Sequence, residues 1–138
     1  MWSEQQTLTT AGPGLTFNAT SGDLWFLDPE QCSWTPDVRL TVDEAPRSNG
    51  AIIFPPLKGA GHLRLAGRML PATDTPSARD SMAASMRAAA DALMSSDGTY
   101  SHPDRGSLTV RLEVYPAFGG AFRKDFVLVL IAADPGSW

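Results

Sequence analysis

The sequence has one cysteine, Cys32, and two histidines, His62 and His102. A single cysteine cannot form a disulfide within the chain or supply the thiolates of a zinc ribbon, so both classes are excluded. The histidines are far apart, and neither has a second metal-ligating residue at the spacing that places two ligands on one element. The sequence therefore predicts no bound metal.

Lysine is scarce as well, since Lys58 and Lys124 are the lysines of the chain, which has a net charge of -4. Nucleic-acid binders normally gather lysine and arginine on one face, so this charge argues against specific nucleic-acid binding. Residues 1–14 are polar and lack the basic start and apolar stretch of a secretory signal. The longest apolar run, near the end of the chain, is far shorter than the roughly 20 residues that cross a bilayer.

The sequence also lacks the common patterns of catalysis. No Gly-x-Ser-x-Gly elbow precedes a helix, and the closely spaced glycines have neither the lysine nor the strand-loop-helix context of a phosphate loop. Asp43 and Glu44 are adjacent on a predicted strand, where neighbours point to opposite faces. His62 is predicted to point outward from a strand, and His102 to lie in a turn. We therefore expect a protein that is not an enzyme and holds no cofactor.

Short apolar runs separated by turn residues make up most of the chain. Its 138 residues suffice for one domain with its own core. We predict a polar leader at 1–14, ordered only against a partner, and a single β-rich domain at 15–138. The strands predicted before the helix lie at 15–18, 24–27, 38–42, 51–54 and 61–67. Ser21-Gly22-Asp23 predicts a hairpin between the first two.

A helix is predicted at about 76–94. Thr75 or Ser77 can cap its first turn, and Pro76 suits that position. Apolar residues then recur on one face at steps of four, three and four. These residues are Met82, Met86, Ala89 and Leu93.

Two strong strands follow the helix. Residues 108–115 alternate apolar and polar side chains, which is typical of a half-buried strand, and a turn is predicted at 116–120. Residues 126–133 are nearly all apolar, which predicts a strand buried on both faces. The predicted class is α+β, mainly β, in the form of a β-sandwich or curved antiparallel sheet with one flanking helix.

Four tryptophans stand out in a chain with two tyrosines. Trp25 is predicted to lie in the core and Trp34 in a proline-flanked loop. Trp2 and Trp138, near the two ends, could cap the core or pack on another subunit, and aromatic side chains are favoured in both settings.

Several stretches follow one another in a distinctive order. Gly-Asp-Leu-Trp-Phe-Leu at 22–27 precedes Val-Arg-Leu at 38–40, Ala-Pro-Arg-Ser-Asn-Gly-Ala at 45–51 and Gly-His-Leu-Arg-Leu-Ala-Gly at 61–67. A helix ending in Ala-Asp-Ala-Leu and a strand running into Ala-Ala-Asp-Pro come next. From about residue 15 to 135 the chain resembles the N-terminal domain of the distal tail protein of long-tailed, siphovirus-type bacteriophages.

The resemblance implies a structural virion protein of the tail tip, made in the host cytoplasm. Its copies would form a hexameric ring, single or stacked, between the tail tube protein and the tail-tip hub or tail-associated proteins. DNA would pass through the lumen without specific binding, and an acidic wall avoids retaining phosphate. The alternative function is a small carbohydrate-binding β-sandwich for host-surface adhesion, using Trp34, Trp25 and Asp37.

The segment at 51–57 is the main candidate for a subunit contact. It is predicted to be an edge strand or an extended arm, because Pro55-Pro56 cannot donate to a strand ladder. Strand alternation within one subunit cannot bury its consecutive bulky residues, whereas a neighbour in a ring can. The predicted contact residues are Ile52, Ile53, Phe54, Leu57, Trp2 and Trp138.

Overall fold

The structure, a computed structural model, describes residues 1–39, 42–44, 51–53, 57–134 and 138, with backbone alone at 38–39, 42–44, 51–53, 57–58 and 121. The strands of this part are β1 Gln6–Thr9, β2 Leu15–Phe17, β3 Leu24–Leu27, β4 Ser33–Arg39, β5 Val42–Glu44, β6 Ala51–Ile53, β7 Leu57–Leu70, β8 Gly98–His102, β9 Gly106–Gly119 and β10 Asp125–Ala132. The helix α1, Pro76–Ser95, lies between β7 and β8, and a 3-10 turn, Ala121–Arg123, lies between β9 and β10.

Eight of these strands form one sheet in the order β10-β9-β8-β1-β2-β3-β7-β4. A further pairing of β10 with β7 closes seven strands into a barrel-like sheet, with β4 added on β7. Closure is possible because β7 is long. Along one edge it pairs with β4 through 57–64 and with β3 through 67–70, and along the other with β10 through 61–68. The mainly β class with one helix is confirmed, but the sheet is a barrel and not a sandwich.

The hairpin predicted between residues 15 and 27 is wrong. β2 and β3 run parallel, with Phe17 opposite Trp25, while β2 pairs antiparallel with β1 and β3 with β7. Asn18 directly follows β2 with a φ of 56°, a conformation that asparagine tolerates better than most residues. Its side-chain Oδ1 accepts a hydrogen bond from the Leu27 amide at 3.0 Å, which ties the two strands together.

The first residues of the chain also differ from the prediction of a leader, because β1 lies inside the sheet between β2 and β8. Leu8 is 1% exposed and Gln6 is fully buried. The Gln6 side chain accepts a hydrogen bond from the Tyr100 hydroxyl and donates one to the Met1 carbonyl at 2.7 Å. A buried amide is tolerated when such partners are present, so a polar-looking segment can form an inner strand.

The predicted buried face of the helix is confirmed, and so is one of its two predicted N-cap residues. The Thr75 hydroxyl accepts a hydrogen bond from the Ala78 amide at 3.1 Å, so Thr75 is the N-cap and Ser77 lies within the helix. α1 lies against β9 and also contacts β2 and β7. Its buried residues are Met82, Ala83, Met86, Ala89, Ala90 and Leu93. Most of them join the strand residues in one hydrophobic core.

Of the last two strands, β9 is longer than predicted, and β10 has the predicted length, one residue earlier in the chain. β9 continues through Pro116 to Gly119, so the turn predicted at 116–120 lies further along the chain. Pro116 stands where the pairing with β10 shifts register, a place where a missing backbone donor is tolerated. β10 alternates fully buried and half-buried residues, so it is not buried equally on both faces.

Candidate subunit-contact surface

The outer face of β3 carries exposed apolar side chains. Trp25 and Leu27 point into the core, so Leu24 and Phe26 point outward by strand alternation. Phe26 is 52% exposed. Leu70 on β7 lies directly opposite Leu24 and is 37% exposed. The half-buried Leu24 and the exposed Phe26 and Leu70 therefore share one outer face, with Arg68 opposite Phe26, and we call these three apolar side chains the Phe26 ridge.

A shallow cavity lies on each side of the Phe26 ridge. One has a volume of about 370 Å³ and is lined by Phe26, Asp28, Gln31, Gly67, Arg68, Leu70 and Asp125. The other has a volume of about 340 Å³ and is lined by Ser3, Asn18, Ala19, Leu24, Phe26, Leu27 and Pro29. A convex apolar side chain between two hollows has the form of a protein-contact surface, in which side chains of one partner enter depressions of the other.

Close packing of two backbones holds the ridge in place. A Cβ at Gly67 would lie 1.8 Å from the Phe26 carbonyl oxygen, so only glycine allows β7 to approach β3 this closely. The Asn18 side chain also donates hydrogen bonds to the carbonyls of Trp2 at 2.6 Å and Glu4 at 3.1 Å. The ridge is therefore built on backbone that is fixed from both sides.

Charged groups border the ridge without covering it. Arg68 and Asp125 form an ion pair at 3.4 Å, and both side chains are at least half exposed. Asp28 accepts a hydrogen bond from the Gln31 side-chain amide at 2.8 Å. An apolar centre with a polar, solvent-accessible border is the usual arrangement of an interface.

Residues 51–53 of the predicted arm form β6, which belongs to a second, two-stranded sheet. Among the residues that the structure describes, β5 pairs with β6, with Asp43 opposite Ile52 and Val42 opposite Ile53. Leu57 is the first residue of β7, while Phe54 lies outside the described residues. The side chains of Ile52, Ile53 and Leu57 also lie outside them, so their subunit contacts stay a prediction.

The two terminal tryptophans differ in exposure. Trp2 is partly buried and packs against the core, so part of its indole remains accessible to a neighbour. Trp138 is 4% exposed. Its indole nitrogen donates a hydrogen bond to the Gly106 carbonyl at 3.1 Å, and its ring lies 5.2 Å from that of Trp34. Trp138 thus packs within its own subunit, which leaves almost no indole surface for the predicted contact.

The residues named for carbohydrate binding do not form a platform. Trp25 is buried and packs edge-on against Phe126 at 5.2 Å. Trp34 lies in strand β4 and not in a loop, half-buried against Trp138. Asp37 is held by His62 at 3.0 Å. Sugar recognition by these three side chains would require exposed ring faces that this packing does not leave.

His62 joins three strands on the outside of the sheet, as an outward-pointing residue of β7. Its Nδ1 lies 2.8 Å from Glu113 of β9 and its Nε2 lies 3.0 Å from Asp37 of β4. Both nitrogens can donate to carboxylates together only when the imidazole is protonated. The hydrogen bonds to Glu113 and Asp37 raise the pKa of His62 above its ordinary value.

We expect NMR titration to give His62 a pKa above the ordinary histidine value of about 6.5. Because the folded-state pKa is raised, its stabilisation is fully present below about pH 6.5 and is lost as the pH rises through the folded-state value. Glu113→Gln should lower this pKa, and Glu30→Gln, remote from the pair, should leave it unchanged. An unshifted His62 in the wild-type protein would contradict the arrangement.

His102 is an inner residue of β8, so the turn predicted for it is wrong. Its Nδ1 accepts a hydrogen bond from the Asp104 amide at 3.0 Å, so Nε2 carries the hydrogen and donates to the Met1 carbonyl at 2.9 Å. The imidazole is 4% exposed. His102 therefore connects residues at the start of the chain to β8.

Within the described residues, no three His, Cys, Asp or Glu side chains are arranged to hold a metal ion. Cys32 is buried, and its thiol contacts the Ala66 carbonyl at 3.2 Å. Burial raises the pKa of the Cys32 thiol and so disfavours the thiolate. No helix in the described ranges has the length and apolar character to cross a membrane.

No protein-family model matches the chain, and no curated protein matches it. The assignment of the Phe26 ridge as a contact surface therefore rests on its geometry. Sequence reasoning identified the strand at 24–27 but not its exposed face, although four consecutive apolar residues on a strand place apolar side chains on both faces.

Proposed function

We propose that the chain is a structural subunit of the tail tip of a long-tailed bacteriophage, where its copies form a ring between the tail tube and the tip proteins. The observation that carries this proposal is the Phe26 ridge, an exposed apolar surface between two hollows at one end of β7. The likeness of the ordered sequence stretches to distal tail proteins supports the same function. In such an assembly the ridge would be covered by a neighbouring copy.

A ring needs two different contact surfaces on each subunit, because one surface must meet the other of the next copy. The Phe26 ridge adjoins the end of β7 at Leu70, and the β5–β6 sheet lies in sequence just before its start at Leu57. These two positions are the ends of a fourteen-residue strand, whose contour length is about 40 Å when fully extended. A head-to-tail contact between the β5–β6 sheet of one copy and the ridge of the next is consistent with these two positions.

The charge of the chain is compatible with a conduit for DNA. A net charge of -4 gives little attraction for phosphate, so a ring of such subunits would not hold the passing genome by counterion release.

Replacing Phe26 should test the contact directly. We expect Phe26→Asp to convert a wild-type oligomer into monomers, because it replaces the apolar ring at the centre of the contact with a charged group that must lose its water there. Val114→Asp is the matched control, since Val114 is 54% exposed on β9, outside the ridge, and should leave the oligomer intact. Sedimentation velocity gives the mass and circular dichroism the fold of each variant.

Two results would contradict the proposal. A wild-type chain that stays monomeric up to high micromolar concentration would show that the subunits do not form a ring. Dissociation by Val114→Asp and Phe26→Asp alike would mean that the ridge is not the specific contact. Ile53→Asp, on β6, examines the other proposed surface by the same measurement.

A further inference from the structure

A second exposed aromatic side chain lies on the connection between β9 and β10. Phe122 is 76% exposed, and both it and Arg123 have left-handed backbone, with φ of 56° and 55°. Such a conformation is unfavourable for a bulky residue, and backbone strain of this kind clusters at functional sites. Two cations flank the ring, with the Arg79 guanidinium carbon 5.7 Å and the Lys124 nitrogen 5.9 Å from its centroid.

Two other arginines near this connection, Arg87 and Arg123, have no carboxylate partner within the described residues. Asp74 forms ion pairs with Arg79, at 2.7 Å, and with Lys124, so both of these cations have a carboxylate partner. Arg87, on α1, lies 4.9 Å from the ring centroid of Phe118. Neither Arg87 nor Arg123 forms an ion pair within the described residues. Their guanidinium groups are therefore free to bind an anion.

These residues enclose a cleft of about 310 Å³ between α1 and the β9–β10 connection. It is lined by Met69, Pro76, Arg79, Asp80, Ala83, Arg87, Phe118, Phe122 and Arg123. Three arginines and one aspartate line it, a local charge of +2 on a chain whose net charge is -4. Phenyl rings and aliphatic carbons supply the rest of its wall. We call it the arginine cleft.

We propose that the arginine cleft binds a carboxylate-bearing peptide segment of another protein. Guanidinium forks match carboxylates with two parallel hydrogen bonds, and the exposed Phe122 offers an apolar contact to an adjacent side chain. The cleft has room for one or two side chains of such a segment. Its charge selects glutamate or aspartate over neutral residues.

A nucleic-acid strand is less well matched to the same cleft. Strands bind along extended cationic grooves with aromatic faces open for stacking. Here the cleft is short, and cations already lie over the rings of Phe118 and Phe122. The rings are thus used to orient cations, which favours a carboxylate ligand over a stacked base.

The test is an isothermal titration of the full chain with a Glu-Phe-Glu peptide, acetylated at its amino end and amidated at its carboxyl end, and with its Gln-Phe-Gln counterpart blocked in the same way. We expect the acidic peptide to bind and the neutral one not to bind. Arg87→Ala and Arg123→Ala should each weaken binding by about tenfold. Arg111→Ala is the control, because Arg111 is paired with Asp97 at 2.6 Å outside the cleft.

Several outcomes would overturn the proposal. The first two are failure of the acidic peptide to bind and equal binding of both peptides. Arg111→Ala would count against the proposal if it weakened binding as much as the cleft variants do. So would a short single-stranded oligonucleotide that displaces the peptide at a concentration below that of the peptide. The arginine cleft and the Phe26 ridge share no lining residue. If the chain is monomeric and binds the peptide, only the proposed ring is contradicted. If the chain forms a ring but does not bind the peptide, only the proposed ligand of the arginine cleft is contradicted.

Discussion

Gly67→Ala should destabilise the protein by about 3 kcal/mol, a large loss for a single methyl group. The added Cβ would lie 1.8 Å from the Phe26 carbonyl oxygen and 3.0 Å from the Asp28 amide nitrogen. Both are backbone atoms, so relief requires moving strands. Gly67 pairs with Leu27 on β3 and with Phe126 on β10, and a shift would disturb both. Urea unfolding followed by circular dichroism measures the loss.

Gly119→Ala is the matched control for this change. Gly119 also lies in a strand, but nothing stands within 4 Å of the Cβ position, and its φ is not positive. We expect a change within about 0.5 kcal/mol. Equal unfolding midpoints for the two variants would mean that β3 and β7 are not in close contact at Gly67. A folded Gly67→Ala protein should also lose oligomers, because Phe26 would move with the strand.

Met86→Asp should cost about 4 kcal/mol at neutral pH. Met86 is fully buried in the core between α1 and the sheet, where a carboxylate would have no partner. Because burial raises the pKa of such a carboxyl, the variant should be less unstable at acidic pH, where the group is neutral. Thermal unfolding across pH measures both effects.

Ala84→Asp places the same side chain two residues earlier on the exposed face of α1. We expect a loss of well under 1 kcal/mol, mainly from the lower helix propensity of aspartate. If Ala84→Asp and Met86→Asp shifted the melting temperature equally, the assignment of the helix faces would be wrong.

Features that depend on neighbours in sequence were predictable. The helix α1 follows from its period of apolar residues and its cap, and the burial of Met86 and Leu93 confirms that reasoning. The alternation predicted along β9 is confirmed at Leu108 and Val110, but it is wrong at Val114, which is 54% exposed. These signals need only a few adjacent residues, because the period of a helix or strand is local.

Features that depend on distant partners were not predictable. Gln6 looks like a surface residue until Tyr100, far along the chain, supplies a buried hydroxyl for it. β2 and β3 resemble a hairpin because the turn residues lie between them, but each has a better antiparallel partner elsewhere. Phe122 stands out only once the fold places α1 beside it. The ridge and the cleft are both products of such long-range pairing.

The position of β10 sets the order in which this sheet can be completed during synthesis. β10 is the last strand of the described residues to be made, and it pairs with both β7 and β9. Until it has left the ribosome, those two strands keep unpaired edges, and the core they share is open to water. β1 must likewise wait for β8 before both of its edges are paired, as expected for a topology rich in long-range contacts. A nascent chain of this kind exposes apolar strands for much of its translation, so chaperone binding at that stage would protect it from premature association.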